Sequence, residues 1–315
     1  MSQASEISPV VSASRRCDIP SFYPRWFASR LRAGFALAAN PFNPAQVSRI
    51  DLSPDKAKVF VFWTRNALPL MPFLGELAAR GQGFYFLHTL LDSPRELEPH
   101  SPRPPRAVEG FRRLADKVGP DKVIWRYDPI VLSAKTGVDF HLRAFKRLAR
   151  SLAGATRRVT VSLMTPYRKT AGRLAALAGA GLAPYAPGED ELSRLMTGLS
   201  GLARGFGLEI TACAPGTDLG RFGLSPGACV DPVLIRRLFG LNVAPGKDKG
   251  QRPGCGCAKS RDIGAYDACL FGCLYCYATT SFTRARANHR AHDPGAPCLA
   301  ALPPSPVRDP PPADS

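Results

Sequence analysis

The chain has 315 residues, with 42 Lys and Arg against 25 Asp and Glu, a formal charge of +17, and nine cysteines. At 45% hydrophobic and 21% charged residues it has the composition of a globular protein, and its length admits one large α/β domain or two of average size. No run of about 18 uncharged apolar residues is present, and residues 1–20 carry Arg15, Arg16 and Asp18 without an apolar stretch, so neither a membrane span nor a secretory leader is expected.

The expected compartment is the cytoplasm. Structural disulfides are rare there, so the cysteines need another explanation. The charge is less telling, because Arg outnumbers Lys 32 to 10 and no Lys/Arg run reaches five. A basic surface draws polyanions by long-range attraction, yet solvated surface arginines account for the charge as well.

From residue 7 to about 240, short β-branched or aromatic runs alternate with longer amphipathic segments. Strands are predicted at 10–14, 59–63, 84–89, 123–127, 159–163 and 208–213, all near-continuous apolar runs of the kind that parallel strands covered on both faces require. Helices are predicted at 21–32, 105–118, 139–152 with Asp139 as N-cap, 170–180, 189–205 and 231–239. Only the stretch after the first helix is irregular, with strand-like runs at 35–39 and 47–52.

Six such βα units with right-handed crossovers form an open doubly wound sheet or a barrel. The expectation here is an α/β protein, a partial (β/α)6 TIM-like barrel with a C-terminal Cys-rich cluster segment. Polar residues gather just past several strand ends: Arg15, Arg16 and Asp18; Thr64, Arg65 and Asn66; Arg126 and Asp128; Thr165. In barrels these ends form the reactive face. His88 ends the third strand and could face the same cavity. Arg126 and Asp128 read either as a structural ion pair or as a rim where Arg126 binds a carboxylate or phosphate. Residues 241–292 form a Gly- and Cys-rich segment that folds back onto the barrel, and 293–315 read as a disordered Pro-rich tail.

Residues 255–278 read CGCAKSRDIGAYDACLFGCLYCYA, with five cysteines in 22 residues. Cys269, Cys273 and Cys276 form C-x3-C-x2-C, and Tyr275 precedes the third. Three thiolates on one tight loop can hold three corners of a [4Fe–4S] cluster and leave the fourth iron for a small molecule. Structural zinc prefers C-x2-C pairs and four protein ligands, which this spacing fits poorly. Gly272 would let the backbone wrap closely. Cys213, Cys229, Cys255 and Cys257 could complete a second site, iron–sulfur or zinc, or else serve as core and supporting residues. Cys17 and Cys298 stand apart. No P-loop, GxGxxG, GxSxG or HExxH pattern occurs.

The triad with its preceding aromatic resembles the cluster motif of radical S-adenosylmethionine enzymes. The whole run from SASRRCDIP through NPFN, VFWTRN and VIWRYDPI to the cysteines resembles a bacterial family, domain of unknown function family 1848, over about Ser12 to Ala278. The first resemblance implies a [4Fe–4S] cluster on Cys269, Cys273 and Cys276. It also implies S-adenosylmethionine on the open iron, Tyr275 near the adenine, and a 5′-deoxyadenosyl radical acting on an unknown substrate. An electron donor such as flavodoxin or ferredoxin would be needed. Two departures stand out: the triad follows the sixth unit rather than the first, and Thr64, Arg65 and Asn66 replace the usual Gly-Gly-Glu-like segment. The other function class is a non-catalytic iron–sulfur or zinc protein that binds nucleic acid through its basic surface.

Overall fold

The computed structural model describes residues 8–43, 45–214, 218–244, 251–252 and 254–300. Among the described residues, ten strands and nine α-helices follow one another: β1 (Val10–Ser12), α1 (Ile19–Phe22), α2 (Pro24–Ala33), β2 (Phe35–Ala39), β3 (Val47–Asp51), β4 (Val59–Thr64), α3 (Leu74–Ala79), β5 (Gly83–Thr89) and α4 (Pro104–Val118). Then come β6 (Val123–Ile130), α5 (Val138–Ser151), β7 (Arg158–Leu163), α6 (Arg168–Ala175), α7 (Glu189–Gly205), β8 (Glu209–Cys213), β9 (Ser225–Gly227), α8 (Pro232–Phe239), β10 (Arg261–Asp262) and α9 (Phe282–Arg290).

Eight strands form one parallel sheet in the order β10-β1-β4-β5-β6-β7-β8-β9. The six predicted strands occupy its middle in chain order, without the reversal that a doubly wound sheet has. Among the described residues the sheet stays open, however, and no closed barrel forms. The additional edge strands β9 and β10 come from short segments whose own pattern carries no period-2 signal. The runs at 35–39 and 47–51 pair antiparallel as a hairpin outside the sheet.

Alternation along each strand explains the unbroken apolar runs. Phe60, Phe62, Phe86, Trp125 and Val159 face one core with Phe27, Phe111, Phe145 and Leu199 of the helices. Phe62 stacks on Phe86 at 5.0 Å between ring centroids, and Trp125 on Phe145 at 4.7 Å. Val59, Val61, Tyr85, Leu87 and Ile124 face the other side, where α8 and the segment around Cys255–Ala258 cover them. Each fully buried side chain of this size stabilises the fold by about 1.5–3 kcal/mol.

Several local expectations change. Gly137, not Asp139, caps α5, and Asp139 instead pairs with Arg194 of α7. The helix read at 170–180 breaks into α6 and a single 3-10 turn at Ala178–Ala180. Of the segment read as a disordered tail, residues 293–300 are packed: Trp26 Nε1 donates to Ala296 O at 2.9 Å, Arg30 Nη2 to Gly295 O at 2.7 Å, and Leu299 is buried. Residues 301–315 lie outside the described residues. No described helix is long and apolar enough to cross a membrane.

Residues 261–278 lie against the strand ends. β10 pairs with β1, Tyr23 Oη donates to Ala268 O at 2.6 Å, and Leu274 N donates to Leu97 O at 3.0 Å. A Cβ on Gly264 would meet Ser14 Oγ at 2.0 Å, so only glycine permits this approach to the first loop.

Candidate functional site

A cavity of about 840 Å³ opens at the C-terminal ends of the strands, the size of a typical ligand pocket. Its wall draws on the loops after β1, β4, β6 and β7 and on the Cys-rich segment. A smaller recess of about 590 Å³ at the opposite strand ends holds Lys58, Lys117 and Lys122 but no thiol, carboxylate or imidazole. The chemistry therefore concentrates at the first.

The strand-end residues divide once their partners are seen. Arg15 and Arg16 line the cavity. The Arg15 backbone N–H donates to Asp262 Oδ2 at 2.8 Å, and its guanidinium lies over Trp63 at 5.2 Å. Arg16 lies over Tyr266 at 5.5 Å and donates to Gly264 O at 3.3 Å. Asp18 is a brace. It accepts from Ser21 N at 2.9 Å, Thr64 Oγ1 at 2.8 Å and Arg65 N at 2.7 Å, and burial pushes its carboxyl up to about 6 despite those donors. Arg126 is paired with Asp128, which also accepts from Ser162 Oγ at 2.7 Å, so the ion-pair reading of WRYDP holds at the cavity wall.

Two candidates fall away. Asn66 does not line the cavity; its side chain accepts from Leu68 N at 3.2 Å and shapes the turn after β4. His88 points to the opposite face of the sheet, fully buried with its ring 4.9 Å from Phe111 of α4. Burial pushes its pKa down to about 3, so it stays neutral. The period-2 alternation of β5, which puts Phe84, Phe86 and His88 together, is the signal that places it there.

Cys269, Cys273 and Cys276 all border the cavity. Cys276 N donates to Cys273 O at 3.0 Å, Arg173 Nη2 donates to Cys276 O at 3.0 Å, and Ser101 Oγ lies 3.9 Å from Cys273 Sγ. Gly272 sits at φ +69°, and a Cβ there would come within 3.1 Å of His100. Burial pushes the Cys269 thiol well up and that of Cys273 up to about 12. Tyr275 is tied down by its hydroxyl. Arg65 Nη2 donates to it at 2.6 Å, the phenol donates to Glu98, and Arg65 clasps Glu98 at 2.7 and 3.0 Å. Glu98 lies in a loop without any motif, so nothing in the sequence pointed to it.

The other four cysteines also meet. Cys213 Sγ at the end of β8 lies 3.9 Å from Cys229 Sγ, and the Cys257 sulfur accepts from Cys229 N at 3.1 Å and Val230 N at 3.4 Å. Hydrogen bonds among the thiols push Cys229 and Cys255 up, and pull Cys213 and Cys257 down as acceptors. Tyr85 Oη, donating to Cys229 O at 2.6 Å, and Ala258 N, donating to Val230 O at 3.0 Å, fix the two loops. Arg252, beside the C-x-C, reaches Thr165 Oγ1 at 2.8 Å and was also unrecognised. Among the described residues, no group of three or more His, Cys, Asp or Glu is already arranged to hold a metal ion. Cys17 is buried at the cavity wall, where burial pushes its thiol up to about 12, while Cys298 bridges to Leu37 of β2, away from the cavity.

The chain belongs to the family described as a domain of unknown function, DUF1848, whose family model matches residues 10–278. None of the curated proteins matches. Among solved structures, a provisionally named phosphomethylpyrimidine kinase from Bacteroides thetaiotaomicron matches at 13% identity, covering 69% of this chain and 66% of its own length. Its TM-score of 0.25 carries no argument about fold or function.

Proposed function

We propose that this DUF1848 protein, on what we read as a partial (β/α)6 barrel, holds a [4Fe–4S] cluster on Cys269, Cys273 and Cys276 and acts as a radical S-adenosylmethionine-type enzyme. The observation that supports this reading is the position of three thiols on one glycine-pinched loop, at the edge of a cavity of about 840 Å³. The donor set fits the group: three thiolates suit three irons and leave the fourth for a ligand. When bound and reduced by a donor such as flavodoxin or ferredoxin, a cluster held by these cysteines would supply the electron for reductive cleavage of S-adenosylmethionine to methionine and a hydrogen-abstracting 5′-deoxyadenosyl radical.

The chain's own residues supply positioning and charge. Arg65 and Glu98 hold Tyr275, which sets the pitch of the loop between Cys273 and Cys276. Arg16 and Lys169 flank the ring of Tyr266, at 5.5 and 5.2 Å, and give the cavity a cationic aromatic wall suited to a carboxylate-bearing ligand. Trp63 beneath Arg15 extends that wall.

The test is iron analysis and electron paramagnetic resonance of the anaerobically reconstituted, reduced chain. About four irons on the triad, a signal that shifts on adding S-adenosylmethionine, and cofactor cleavage under reductant are the expected results. Cys273→Ala should abolish the signal and Cys298→Ala should leave it unchanged. Reduced, iron-replete protein that leaves the cofactor intact would overturn the enzyme reading.

A further inference from the structure

Cys213, Cys229, Cys255 and Cys257 come from three separate stretches of chain: the end of β8, the loop before α8, and the C-x-C segment. All four are buried, at 7, 6, 9 and 2% exposure, under the face of the sheet that α8 covers. A hydrophobic core has no need to bring four thiols together from such distances. Here the Cys213 and Cys229 sulfurs are 3.9 Å apart, Cys257 Sγ accepts from Cys229 N at 3.1 Å, and Cys255 is buried in the same cluster.

The spacing distinguishes the candidates for this place. With zinc–sulfur bonds of about 2.3 Å, the edge of a tetrahedral four-thiolate shell is about 3.8 Å. The Cys213–Cys229 separation matches that edge. A cubane cluster bonds each thiolate to a different corner iron and holds the sulfurs farther apart.

The surroundings are those of a thiolate shell. Two backbone N–H groups, of Cys229 and Val230, point at Cys257 Sγ, and Arg252 Nη2 lies 3.9 Å from Cys213 Sγ. Arg126 lines the same cavity, and its buried Nε has no hydrogen-bond partner. A divalent ion with four thiolates carries a net charge of −2, which the Arg252 guanidinium offsets in part, and N–H···S bonds are the outer-shell support that such ligands receive.

We propose that these four cysteines form a structural zinc site, separate from the triad and independent of the enzyme reading. As they stand, the thiols are not arranged to hold the ion. Loading exchanges thiol–thiol hydrogen bonds for four metal–sulfur bonds, and each thiol releases its proton to solvent. The ion would clamp the end of β8 to the start of α8 and to the C-x-C loop, and so fix one wall of the cavity.

The experiment uses the full chain produced with zinc and without iron. Native mass spectrometry should find about one zinc per chain, retained in Cys273→Ser and lost in Cys257→Ser. Cobalt(II) added to the metal-free chain should give thiolate-to-metal charge-transfer absorption in the wild type and in Cys273→Ser alone. Should Cys257→Ser fail to fold, alkylation mapping of the wild type decides: zinc should protect Cys213, Cys229, Cys255 and Cys257, and chelation should expose them. Zinc that is kept in Cys257→Ser but lost in Cys273→Ser, an iron–sulfur cluster on the four cysteines, or a metal-free chain with a Cys213–Cys229 disulfide would each overturn the proposal. None of these results depends on whether S-adenosylmethionine is cleaved.

Discussion

Arg65 Nη2 donates to the Tyr275 hydroxyl at 2.6 Å, joining the end of β4 to the residue before the third cysteine of the triad across 210 positions of sequence. Glu98 completes the link by accepting from both. The arrangement is charged, almost fully enclosed and fully partnered, so its members depend on one another. Removing Arg65 leaves a buried carboxylate without its cation. Arg65→Ala should therefore destabilise the chain by about 3–5 kcal/mol, and Tyr275→Phe by about 1–3 kcal/mol, read from urea midpoints of the metal-free protein. Equal, small effects for the two variants would mean that the link is not cooperative.

Gly272→Ala tests the pinch of the cysteine loop. Its φ of +69° costs an L-residue about 1–2 kcal/mol, and the added methyl also meets His100 at 3.1 Å. A lowered melting temperature is expected, together with slower or incomplete iron uptake, while Gly34→Ala, with a similar φ but open space around it, should show the thermal effect alone.

His88 predicts a pH dependence. Its folded pKa of about 3 lies below the ordinary 6.5, because burial disfavours the imidazolium. A depressed folded pKa means that its contribution is full above pH 6.5 and is lost as pH falls toward 3. Over that window His88 should contribute a slope of about 1.4 kcal/mol per pH unit. In His88→Leu that part of the slope should vanish, and parallel stability–pH curves for the two proteins would contradict the assignment.

The docked segment at residues 293–300 makes a further prediction. Leu299 is 3% exposed within the main core, and Pro297 O accepts from Leu37 N at 2.8 Å. Leu299→Ala should cost about 2 kcal/mol by loss of packing, and a chain ending at His292 should melt lower still. Proteolysis that removes residues 293–300 without any change in melting would refute this.

What could be read from residues alone followed from short-range rules. The six central strands were legible because burial on both faces demands unbroken apolar runs such as Val59–Thr64. The triad was legible because its three ligands lie within eight residues of one another. Asp231, whose carboxylate caps α8, sits at the start of the helix predicted there.

The remainder was decided by contacts distant in sequence. Glu98 acquires a role only when the loop carrying it meets Arg65 and Tyr275. His88 was misplaced because a strand end is ambiguous between two faces until its neighbours fix the alternation. Cys213 and Cys257 are 44 positions apart, and no spacing rule spans a strand, a helix and a loop. The nine cysteines stand out in the composition, but only folding shows that eight of them border one cavity, three of these on a single loop. Pairing of β10 with β1 and closure of the chain over the strand ends brought them together, and both are stabilised by long-range hydrogen bonds that no local pattern encodes.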